Sequence, residues 1–381
     1  MKQLVTGITI LLFSACLQAE LPVDPVGVIE KLPADYPNTW IYAHDTNFYS
    51  LVDGKVIIVD VAAENRHYKG SLPVGQFGSF LASSSRAELY AGETFYPRRL
   101  RGERTDVVTI YDKVNLKPID EIILPGGKRG QLVTFKGMMR FIGNEDFLAV
   151  FNFSPAASVY IIDIDKRNIV EEIQIPGCTL IYPTGSLSFA SLCSDDLMLV
   201  SHLNKDGTLQ KQQRTSKFFN ADDDPLFAFS GRAGNKIWFP SFKGMVQPLD
   251  MSSAMPKIES PWSLVSEKEK KENWRPGGWQ IVTAHESGQL FVLMHKDGYD
   301  GSHKGGGSEV WVFDTTMKKR IRRIKLKEWG VSIEVTSGKN PYLVVTNGNM
   351  ELDIYSAEDG KWIRMIGGRA FEMPMALHAV K

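Results

Sequence analysis

A unit of about fifty residues recurs along this chain, and no other feature limits its fold as strongly. Each copy is a run of alternating apolar residues that ends in an acidic or polar turn residue. A polar turn and a second apolar strand follow, with an Ile roughly ten residues beyond the turn. Val107-Val108-Thr109-Ile110-Tyr111-Asp112 leads to Ile122, Val159-Tyr160-Ile161-Ile162-Asp163 to Ile173, Val310-Trp311-Val312-Phe313-Asp314 to Ile324, and Leu352-Asp353-Ile354-Tyr355-Ser356 to Ile366. Val56-Ile57-Ile58-Val59-Asp60 opens the series, and degenerate copies surround His202 and Asp250. The turn positions 60, 112, 163, 202, 250, 314 and 356 lie on average about 49 residues apart, a period that belongs to propellers or solenoids.

Period-two alternation and strands rich in Val, Ile, Tyr, Phe and Trp make the units antiparallel sheets, joined by turns carrying Asp, Asn, Lys and Gly. A four-stranded sheet cannot bury both faces alone, and stacking such sheets radially around a channel solves that problem. The expected fold is therefore all-β, a seven-bladed β-propeller, forming a single domain over residues 20–381. Hydrophobic residues at 43% supply the core, and 44 basic against 44 acidic side chains with no basic stripe argue against a nucleic-acid partner. Two segments depart from the pattern. Residues 263–273, S-L-V-S-E-K-E-K-K-E-N, predict a short surface helix with Ser266 as its cap, and Asp222-Asp223-Asp224-Pro225 predicts a loop.

The first residues read as a secretory leader: Met1-Lys2-Gln3, an apolar run from Leu4 to about Cys16, then Leu17-Gln18-Ala19 before Glu20. Cleavage after Ala19 is expected, giving a signal peptide over 1–19 and an exported, periplasmic chain. Ser14-Ala15-Cys16 offers a second reading, lipid attachment at Cys16. No later apolar segment is long enough to span a bilayer as a helix. With Cys16 removed, Cys178 and Cys193 remain. Two thiols in an oxidising compartment predict one structural disulfide, the alternative being a redox-active pair, which usually needs C-x-x-C spacing.

Several constellations carry residue types capable of chemistry. His295-Lys296-Asp297-Gly298-Tyr299-Asp300-Gly301-Ser302-His303 holds metal-binding residue types, but its spacing matches no metal motif and its glycines mark a hairpin loop; no metal is expected. G-x-S-x-G, H-E-x-x-H and the P-loop motif are lacking, and His44, His202 and His285 sit in or beside strands as structural histidines. The densest charge cluster runs from Arg98 to Asp106. Arg beside Glu and Asp near Phe95 and Tyr96 predicts a loop locked by bidentate ion pairs, against the alternative of a solvated blade edge. From the residues alone, then, the chain is an exported propeller without catalytic apparatus of its own, and a protein-binding scaffold remains one reading of it.

At these same residues the chain resembles the large (heavy) subunit of the tryptophan tryptophylquinone amine dehydrogenases. The resemblance is carried by Arg101-Gly102-Glu103-Arg104-Thr105-Asp106, Ser154-Pro155-Ala156, Gly177-Cys178 with distant Cys193, and Trp274-Arg275-Pro276-Gly277-Gly278, in that order. It runs from about Trp40 to near the carboxyl end. Pro261-Trp262-Ser263-Leu264 and the 294–304 segment look more like the aromatic amine dehydrogenase branch than the methylamine branch.

The resemblance implies a seven-bladed propeller that binds no cofactor itself. The quinone belongs to a small, disulfide-rich partner subunit in an α2β2 heterotetramer; it oxidises a primary amine to aldehyde and ammonia, and electrons pass to a blue copper protein. It also implies that Phe48, just after Ile41-Tyr42-Ala43-His44-Asp45, narrows the substrate channel. By the same token Trp274 and Trp279 are not the redox indoles, and Pro276-Gly277-Gly278 is a turn entering the strand at Gln280.

Overall fold

The apolar runs form strands buried on both faces, which is why they read as nearly unbroken. Tyr42, Val56 and Ile58 pack with Phe80, Leu89, Ala91 and Tyr111 of the following sheet. Their alternates Ile41, Ala43, Ile57 and Val59 pack on the other side with Val344, Leu352, Ile354 and Ile366. The same division repeats where Tyr90, Val108, Ile110 and Ile122 meet Met139, Leu148, Val150 and Ile162. Each such Val, Ile or Leu contributes about 1.5–3 kcal/mol by leaving water. The outer strands are less buried: Leu209–Arg214 is largely exposed and Asn168–Gln174 mostly half-buried.

The computed structural model describes residues 30–131, 133–368 and 370–380; the leader, with its cleavage site and Cys16, lies outside them. All the strands fall in one compact unit, Leu32–Lys381. They form six antiparallel sheets in a β-propeller arrangement with little helix. Ser79–Ala82, Glu88–Phe95, Thr105–Asp112 and Pro118–Leu124 make one meander of four strands, and Met139–Ile142 to Asn168–Gln174 and Cys178–Thr184 to Leu209–Arg214 make two more. Gly231–Ala233, Lys236–Pro240, Met245–Asp250 and Lys257–Ile258 form the next, with Trp262–Ser263 added to it. The first sheet takes its innermost strand from the far end of the chain: Pro374–Ala379 pairs with Trp40–Asp45, Tyr42 lying opposite His378.

Five sheets thus stand as separate blades, where the repeat predicts seven. The remainder is a continuous sheet of eight strands. Its continuity comes from one long strand, Lys319–Val335, which pairs through residues 319–325 with Gly307–Asp314 and through 330–335 with Tyr342–Asn347. No turn residue interrupts it, so two hairpins that the repeat treats as separate are joined. The repeated turn positions themselves lie on the third strand of each four-strand set. The predicted partners pair there: Val108 with Ile122, Val159 with Ile173, Val310 with Ile324 and Leu352 with Ile366.

First strands of neighbouring sets touch near the axis: Met139–Ile142 meets Ser79–Ala82 on one side and Cys178–Thr184 on the other, Val282–Ala284 meets Gly231–Ala233 and the long strand, and the long strand meets Pro374–Ala379. The expected helix forms over Glu267–Lys271. Ser266 caps it in a full capping box with Glu269, although Glu269 is buried rather than on the surface.

Candidate functional site

In a meander of four strands, the turn between the second and third strands and the exit from the fourth emerge at the same end. Here that end gathers turns 46–54, 96–104, 153–157, 241–244, 296–306 and 348–351, and connections 74–78, 125–138, 215–230, 259–281 and 367–373. Contacts between them confirm the grouping. Trp279 Nε1 donates to Thr134 O at 3.1 Å, Thr134 Oγ1 donates to Gly78 O at 2.7 Å, and the Phe135 ring lies 4.8 Å from Trp279 and 5.0 Å from Phe229. Four connections from around the ring therefore meet there.

Phe48 lies in the first of these turns, half-buried, its ring 5.7 Å from that of Phe77. The turn is tied down by Asp45, a fully buried carboxylate that accepts from the backbone N–H of Asn47 (3.1 Å), Glu372 (2.6 Å) and Met373 (2.9 Å). Beside Phe48, Tyr49 is 87% exposed, and Tyr299 in the 296–306 turn is 70% exposed. Leu100, Phe153 and Trp329 add further exposed apolar surface at this end.

The charge cluster does lock its loop, but through only two of its members. Arg104 grips Asp106 bidentately, Nε to Oδ1 at 2.8 Å and Nη2 to Oδ2 at 2.9 Å, and its Nη2 also donates to Arg129 O at 2.6 Å. Arg101 and Glu103 are exposed, and Gly102 holds the turn at φ +112, where a side chain would meet the Pro97 ring at 2.6 Å. The residue that completes the lock, Arg129, is one that sequence reading missed. It is buried, and its guanidinium donates to Gln76 O, Phe77 O and Thr94 Oγ1. Burial pushes it down to about 10 against the pull of Asp106. Its partners are 23 to 53 residues away in sequence, so no local signal marked it.

Trp274 and Trp279 have different fates. Trp274 is buried 5.0 Å from Trp311, with Arg323 over its ring at 4.7 Å; Trp279 crosses to Thr134 at the axis. Between them Arg275–Pro276 forms a short strand against His295 and Met294. Gly278 is required on two counts, a φ of +130 and a space in which a Cβ would lie 2.5 Å from Val331 O. At Gly277 a Cβ would meet the His295 ring at 2.6 Å.

Cys178 and Cys193 face each other on adjacent strands of this end and form a disulfide. His295 bonds Ser302 Oγ at 2.8 Å and His303 lies 4.2 Å from the Phe242 ring; burial first, then nearby cations, hold both below the usual histidine range. Among the described residues no group of three or more His, Cys, Asp or Glu is arranged around a metal position. His44, fully buried, is pushed down to about 4 by that burial, and His285 is held by Ser287 and Gly338 O.

The helix in connection 259–281 gives a pH prediction. Burial acts to raise the Glu269 carboxyl, but Arg320 and the Ser266 cap outweigh it and hold it at about 2. A depressed carboxylate contributes stability above its unfolded pKa of about 4.3 and loses it as pH falls towards the folded value. Fluorescence of the nearby Trp274–Trp311 pair should therefore change between about pH 4 and pH 2 in the native sequence, and Glu269→Gln should abolish that step.

The methylamine dehydrogenase heavy chain family model matches residues 38–374. The heavy chain of Methylorubrum extorquens methylamine dehydrogenase is 28% identical over 362 residues, covering 93% of this chain and 85% of that protein. That of Methylobacillus flagellatus is 27% identical over 348 residues, 89% of this chain and 84% of that protein. Among solved structures, a dihydro-heme d1 dehydrogenase aligns with 87% of this chain and 74% of its own at a TM-score of 0.50 and 14% identity, a likeness of fold alone. The segments that carry the sequence resemblance, scattered from Arg101 to Gly278, come together at one end of the ring with Phe48, and the chain belongs to the methylamine dehydrogenase heavy-chain family.

Proposed function

We propose that this chain is the large subunit of a quinoprotein amine dehydrogenase, and that the loop end of its ring covers a small partner subunit. The observation that carries this reading is the gathering of Phe48, the Arg104–Asp106 lock, the Cys178–Cys193 disulfide and the Trp274–Gly278 turn at one apolar-rimmed end, within a family match spanning residues 38–374. The tryptophan tryptophylquinone lies in the partner, where it supplies two-electron oxidation of a primary amine. This chain's own residues shape the approach to it. The Phe48 ring, propped against Phe77 on a turn anchored by Asp45, excludes water and limits amine size at the channel mouth.

In this reading the mature protein runs from residue 20 as one exported domain. Dividing the eight-stranded sheet within Lys319–Val335 makes it two blades and the ring seven. The assembly is an α2β2 heterotetramer in the periplasm that reduces a blue copper protein. Pro261-Trp262-Ser263-Leu264 and the 294–304 turn support an aromatic amine as substrate. Trp262 is buried against Phe313, so that motif acts through packing rather than contact.

Co-expression with the small subunit and its maturation proteins should yield a copurifying complex that oxidises amines, and the chain alone should not. Amine oxidation by the isolated chain, or no association, would sink the proposal and favour a scaffold. In the complex, Phe48→Ala should raise kcat/KM for an arylalkylamine relative to methylamine by roughly tenfold. An unchanged ratio removes Phe48 from the channel, and a native preference for methylamine rejects the aromatic assignment.

A further inference from the structure

The axial side of the ring carries charges that do not balance. Lys136 pairs with Glu334 of the long strand, and Glu334 also accepts from Gln280 Nε2 at 3.1 Å and from Thr283 Oγ1. That carboxylate is fully engaged. Two guanidiniums remain nearby, Arg140 on the innermost strand Met139–Ile142 and Arg232 on Gly231–Ala233. They approach the strand Cys178–Thr184 from its two sides: Met139–Ile142 packs against that strand, and Arg232 Nη1 donates to Pro183 O at 3.0 Å. Arg232 Nε is used by Gly234 O at 3.1 Å.

Among the described residues neither guanidinium has a carboxylate ion pair, and Arg140 has no side-chain hydrogen bond. Both are half-buried and keep partial access to solvent. Burial first, then the charge of Arg232, pushes Arg140 down to about 10 against the weaker pull of Tyr182 and Glu334, and burial lowers Arg232 as well.

Two desolvated cations facing one strand repel each other, and a counter-anion between them would relieve both the repulsion and the unmet donors. With Lys136 and Glu334 cancelling, the surplus is two positive charges. The guanidinium fork matches the spacing of oxygens on a tetrahedral or planar oxyanion. We infer that the axial channel holds a site for a small dianionic oxyanion of the phosphate or sulfate class, gripped between Arg140 and Arg232 beside Tyr182 and Pro183. The site is independent of amine oxidation and ties together three successive innermost strands of the ring.

Calorimetric titration of the purified full chain with inorganic phosphate, and separately with sulfate, in chloride buffer of constant ionic strength tests this. Saturable binding of one oxyanion per chain is expected for at least one of the two. In Arg140→Gln and Arg232→Gln the dissociation constant should rise roughly tenfold or more, and the oxyanion-dependent gain in Tm should vanish. Absence of saturable heat from either oxyanion at millimolar concentration in the native sequence overturns the inference, whether or not the variants fold. Unchanged affinity in both variants overturns it equally.

Discussion

Replacing Asp106 by alanine should lower the unfolding free energy by about 3–5 kcal/mol, the loss seen when one partner of a buried charge network is removed. Asp106 is fully buried and accepts from Thr94 Oγ1 at 2.6 Å and from the Arg129 backbone N–H at 3.1 Å, besides its two bonds from Arg104. Without it, Arg104 and Arg129 keep their charges but lose their carboxylate. Glu93, the other acidic group near Arg129, is raised by burial and is poorly suited to replace it. The double substitution Asp106→Ala with Arg104→Met removes the charge that was paired directly to Asp106 and should recover part of the loss. Urea unfolding of the two single variants and the double gives the coupling directly. A single-variant loss below about 1 kcal/mol would mean that the network is solvated and the loop is held by other contacts.

Removing the disulfide is expected to cost roughly 3 kcal/mol, the chain-entropy value for a loop of about 15 residues. Cys178 and Cys193 are 15 apart and close the first hairpin of their sheet at the loop end. The prediction is specific in its control. Reductant should lower the urea midpoint of the native sequence to that of Cys178→Ala/Cys193→Ala, and should leave the double variant where it was. If reductant shifts both alike, the thiols are not the reason.

Sequence reading found the outer half of each four-strand set and little of the inner half. Third strands such as Val56–Val59 and Val159–Ile162 carry long β-branched runs, and a polar turn with a partner strand follows each at constant spacing. Some first strands are short, three residues in Gly231–Ala233 and in Val282–Ala284, and sit where neighbouring sheets supply the packing; periodicity has nothing to act on there. The blade count diverged for a related reason. Lys325-Leu326-Lys327-Glu328-Trp329-Gly330 continues as strand between two hairpins, because the two ends of the long strand are paired by different neighbours.

For the candidate site, residues whose roles depend on the adjacent turn were legible: Gly278, the Ser266 cap, and the Arg104–Asp106 pair two residues apart. Arg129, Arg140 and Glu334 were not. Each is a lone charged residue whose meaning comes from segments brought near only by closure of the ring.

That closure also orders events in time. The ring is shut by strand Pro374–Ala379 on strand Trp40–Asp45, and the Asp45 anchor grips Glu372, 327 residues downstream. The two partners are separated by all the other strands of the ring, so the first must wait for a contact that forms only when the ring closes. Throughout that interval Trp40–Asp45 presents an unpaired edge, a ready template for the wrong strand of another chain, and the contact that would silence it is among the most non-local in the molecule. The risk of misassembly is therefore set by how long the opening strand must wait, and docking of Pro374–Ala379 decides when it ends.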